Sequence, residues 1–164
     1  MDSRRELRQL VYPSAQFAVF RVLLGIFLAA HFATLAPFGN EIYGRAGMFA
    51  SSGLSPFPNI LNHLTSSTQL DLFFYANTCA AILFASGILR RPVAVVLWYG
   101  WACLTNRTPF LYIPSEGLVG WLLLFSAVVP RGEFASLLPP SRSGWRLDSW
   151  YRSCAWIVIG VGYL

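Results

Sequence analysis

Residues 17–37 read FAVFRVLLGIFLAAHFATLAP, and this stretch decides the class of fold. As a helix its 21 residues reach about 30 Å, one hydrocarbon thickness. Arg21 and His31 are its ionisable positions. Arg21 lies about one turn in, close enough to the end for its long side chain to reach headgroups. The stretch is too long, and too far from the amino end, for the apolar core of a signal peptide, and no A-x-A-like site follows it.

The rest of the chain has the same character. It is 55% hydrophobic and only 12% charged, with a mean hydropathy of +0.53. Soluble domains carry about 25% charge, so a chain of 164 residues at half that level is short of polar cover. A second apolar run spans 69–89. Two shorter runs follow at 92–105 and 117–130, each of 14 residues, and a last run of 15 residues closes the sequence at 150–164. A span needs about 20 residues. The fold expected is therefore an all-α integral membrane protein, a bundle of four transmembrane helices plus a partial fifth, in one domain over 1–164.

Local signals place the helix ends. Thr68 and Asp71 match the capping pattern that opens a helix. Arg90, Arg91 and Pro92 close one helix and open the next, with Pro92 suited to a first helical position. Residues 38–66 form a Gly-, Pro-, Ser- and Asn-rich loop punctuated by apolar residues, expected to lie along the interface, with a short helix at 59–64. Segment 106–116 is expected to stay at or below the headgroups, shielded by that loop, because both flanking runs are short.

The net charge is +5, and all twelve basic residues are Arg. They sit between apolar runs and not on one amphipathic face, which speaks for membrane topology and against nucleic acid. With the amino terminus in the cytoplasm, that side holds Arg4, Arg5, Arg8, Arg90, Arg91, Arg131, Arg142, Arg146 and Arg152. The far side holds Arg45 and Arg107. Nine against two predicts a multi-pass protein of the cell membrane, of bacterial inner-membrane type, with a cytoplasmic amino terminus.

Cys79, Cys103 and Cys154 are far apart, each in an apolar run, without the close spacing of metal or dithiol sites. They read as small hydrophobes. Asn77, Thr78, Ser86 and Gly87 read as helix-packing positions. Three residues remain as ligand or cofactor candidates. His31, deep in the first run, suits proton relay, quinone contact or axial ligation of a haem or pigment, against the plainer reading of a histidine hydrogen-bonded across helices or facing the far interface. Arg107 and Glu116 flank the segment between the two short runs. They read either as a polar pocket for a quinone head or lipid phosphate, or as an ion pair that shapes the turn.

Several motifs in order carry a family resemblance. They are RVLLG at 21–25, the Gly-rich loop after it, GILRR at 87–91, TNRTP at 105–109, the run 117–130 closing on PRG at 130–132, and Trp150 leading into the last run. In these the chain resembles the horizontally transferred transmembrane domain proteins, relatives of the membrane part of vitamin K-dependent γ-carboxylase. The resemblance implies a helical membrane domain and, for the carboxylases, an essential Lys acting as base toward reduced vitamin K. The family's Lys-bearing stretch would follow residue 164, and no Lys occurs in these 164 residues, so that role transfers to no position. The expectation is a non-enzymatic membrane subunit that packs with other integral membrane proteins in the lipid bilayer. The alternative is the membrane half of a quinone-linked enzyme, or a module that binds quinone, lipid or pigment.

Overall fold

The computed structural model describes residues 14–49, 57–107, 114–130, 132, 136–137, 150–151, 153–154 and 157. Among them every regular element is helical. Helix α1 is Ser14–Leu35. A 3₁₀ turn, Ala36–Phe38, joins it to α2, Gly39–Tyr43. A second 3₁₀ turn, Ile60–Asn62, precedes α3, Ser67–Ser86. Helices α4, Arg90–Thr105, and α5, Pro114–Val128, follow.

The path from Ala15 to Tyr43 is helical over 29 residues and is long and apolar enough to cross a membrane. Gly117–Val128 is apolar but shorter. By length and composition together, then, one described helix qualifies as a span.

The helix ends differ from the sequence expectation in instructive ways. Helix α3 opens one residue before Thr68, because its cap is the Ser66/Gln69 pair. The Gln69 side-chain oxygen accepts from the Thr65 N–H at 2.9 Å and the Ser66 N–H at 3.2 Å. Helix α4 starts at Arg90, so Pro92 is its third residue and not its first. Proline is tolerated there because the first four N–H groups have no intrahelical acceptor. The turn between α3 and α4 is a Schellman motif. Gly87 takes φ 78°, and Ile88 N–H and Gly87 N–H donate to the Leu83 and Phe84 carbonyls at 3.1 and 3.0 Å. The short helix expected at 59–64 is the 3₁₀ turn, capped by the Asn59 side chain, which accepts from Leu61 N–H at 3.0 Å.

Helix α1 packs along α3, α3 against α4, and α4 against α5. Two glycines let these long helices approach closely. A Cβ on Gly25 would sit 2.7 Å from the Ala85 Cβ, and one on Gly100 would sit 2.1 Å from the Asn77 Oδ1. Larger residues at either position would push the helices apart. The core they enclose is built from Leu28 and Phe32 of α1, Phe74, Ala81 and Phe84 of α3, Leu97 of α4 and Leu123 of α5, all fully buried. Cys103 is buried in this core as a small hydrophobe, and Cys79 faces outward from α3. The outward faces are apolar too. Leu23, Ile26 and Phe27 of α1, Leu72 and Ile82 of α3, Val96 of α4 and Trp121 of α5 are all exposed. A helix apolar on every side suits a solvent that is itself apolar.

Candidate functional site

At one end of the bundle three arginines are turned onto main-chain carbonyls. Arg21, on the second turn of α1, is fully buried and does not reach out toward headgroups. Its Nε donates to the Ala85 carbonyl at the end of α3, 3.2 Å away, and a Cβ on Gly87 would sit 2.8 Å from its Nη1. The absence of a side chain at Gly87 is what leaves room for the guanidinium. Arg90, at the start of α4, donates through Nη1 to Ser126 O and through Nη2 to Val129 O and Pro130 O at 2.8 and 2.9 Å. Its guanidinium carbon also lies 5.2 Å from the centre of the Phe17 ring. Arg91 joins it, with Nε 3.2 Å from Val129 O. A helix ends on unpaired carbonyls and a partial negative charge, and a guanidinium with its planar fork of donors answers both. Arg21, read in the sequence as reaching for headgroups, thus holds the end of α3, and Arg90 and Arg91, counted as loop charges, hold the end of α5.

At the opposite end Arg107 plays the same part. It is 4% exposed. Nη1 donates to Tyr43 O, and to Phe49 O at 3.3 Å. Nη2 donates to Leu61 O at 2.7 Å and to the Asn62 Oδ1 at 3.2 Å. Burial lowers the pKa of this guanidinium, and the neighbouring Tyr43 and Cys103 oppose the shift. Asn59 Nδ2 donates to Cys103 O at 2.7 Å, and the Tyr99 hydroxyl donates to Pro58 O at 2.8 Å. Residues 43–49 and 57–62 are thereby strapped over the carboxyl end of α4. This agrees, as far as Arg107, with a 106–116 segment covered by the preceding loop; 108–113 lie outside the described residues.

The sequence-level candidates fare differently. Arg107 is saturated by protein acceptors and leaves no open face for a quinone head or phosphate. Glu116 lies in the first turn of α5, and its side chain is outside the described residues. His31 stands apart. It is half-buried on the flank of α1, with its ring centre 4.9 Å from Trp101, 6.0 Å from Phe27 and 5.9 Å from Phe32. Trp101 is buried and Phe27 is 48% exposed, so the imidazole lies between the core and the outer surface. Among the described residues it takes no hydrogen bond. None of the described His, Cys, Asp and Glu residues form a group of three able to hold a metal ion.

Comparison with protein-family models, curated proteins and solved structures gave no match.

Two roles were not legible in the sequence, those of Arg21 and Arg90 as internal clamps. The signal available for Arg21 was the glycine at 87, a position with space for a guanidinium. For Arg90 it was the phenylalanine at 17, an aromatic face that a buried cation can use.

Proposed function

We propose that the chain is a non-enzymatic subunit of a larger membrane protein complex. In this reading it is a multi-pass domain of the horizontally transferred transmembrane type, with its amino terminus in the cytoplasm. The observation that carries the reading is the division of labour among its polar groups. Arg21, Arg90, Arg107 and Asn59 are buried and donate hydrogen bonds to carbonyls of this same chain. Side chains so engaged hold a fold together and are not free to bind or activate a substrate. What the helices offer outward is apolar surface, suited to lipid and to other membrane helices. The carboxylase base has no counterpart among these 164 residues, which hold no Lys, and Arg stays protonated at any working pH.

The test is purification from native membranes in a mild detergent, followed by mass spectrometry of what accompanies the chain. Stoichiometric membrane proteins support the reading. A chain that is alone in lipid nanodiscs and turns over a γ-carboxylase substrate with reduced quinone overturns it.

A second reading rests on His31. A half-exposed imidazole among aromatic rings is suited to a quinone, a lipid headgroup or a pigment. Quinone or pigment that co-purifies with the chain and is lost from His31→Leu would favour this module over the subunit.

A further inference from the structure

We draw no further inference here: the strongest candidate, the flank of α1 where the half-buried His31 ring lies between the exposed Phe27 and the buried Trp101 of α4, is an unpartnered apolar face, and nothing in the structure shows what covers it.

Discussion

The Arg21 Nε donates to the Ala85 carbonyl across 3.2 Å, and so a residue near the start of α1 closes the end of α3. The guanidinium is fully buried under Gly87, which has no side chain to exclude it. The α1–α3 pair is thus fastened at this end by a charge-assisted hydrogen bond and, one turn along α1, by the Gly25–Ala85 contact.

Arg21→Lys should destabilise the chain by about 1–3 kcal/mol, because an ammonium is a compact point charge and lacks the planar fork that fits this space. Gly87→Ala should cost at least as much. Its φ of 78° disfavours any side chain, and the new Cβ would lie 2.8 Å from Arg21 Nη1 and 2.9 Å from the Ser136 Cα. Thermal unfolding in a fixed detergent reads both. A lysine variant as stable as the natural sequence would show that the arginine is not a clamp.

Gly100→Ala should loosen α3 from α4, since the new Cβ would meet the Asn77 Oδ1 at 2.1 Å. Asn77 is buried, its Nδ2 donating to Phe73 O at 2.8 Å and its Oδ1 accepting no hydrogen bond, so the amide has little to hold it against removal. Asn77→Ala should therefore recover most of the loss, with a coupling of about 1–2 kcal/mol in the double-mutant cycle. Simple additivity would contradict the contact.

Arg107→Ala should cost about 2–4 kcal/mol, because the Tyr43, Leu61 and Asn62 acceptors lose their shared donor. The strap at 57–62 should open first, seen as faster amide exchange of Asn62 and His63, while the α1–α3 contact holds. Burial lowers the Arg107 pKa. A depressed cation is penalised in its charged form, and that penalty would lift only above the folded pKa. A guanidinium nonetheless keeps its proton at any working pH, so the clamp's contribution should be flat near neutrality. A titration of its stability near neutrality would point to another group.

The helices themselves were legible because apolar runs in a chain so short of charge have one economical arrangement. Their ends were less so. The sequence pointed to Thr68–Asp71 as the cap of α3, whereas in the fold Gln69 reaches back to the Thr65 and Ser66 N–H groups. Arg90 and Arg91 read as loop charges because a sequence does not show which carbonyls lie 36 to 40 residues away. Ser126, Val129 and Pro130 are their partners only after α5 has folded back on α4. His31 was legible as an anomaly, a polar ring in an apolar run, but its contact with Trp101 of α4 is tertiary.

The most direct measurement is two-sided cysteine accessibility in intact cells, in a background with the native cysteines replaced. Arg45→Cys lies in the exposed turn after α2, and Ser141→Cys lies in the polar stretch 131–149. A membrane-impermeant thiol reagent is predicted to label Arg45→Cys from outside, and to label Ser141→Cys only after permeabilisation. Labelling of Ser141→Cys in intact cells, or protection of Arg45→Cys, would contradict the multi-pass topology.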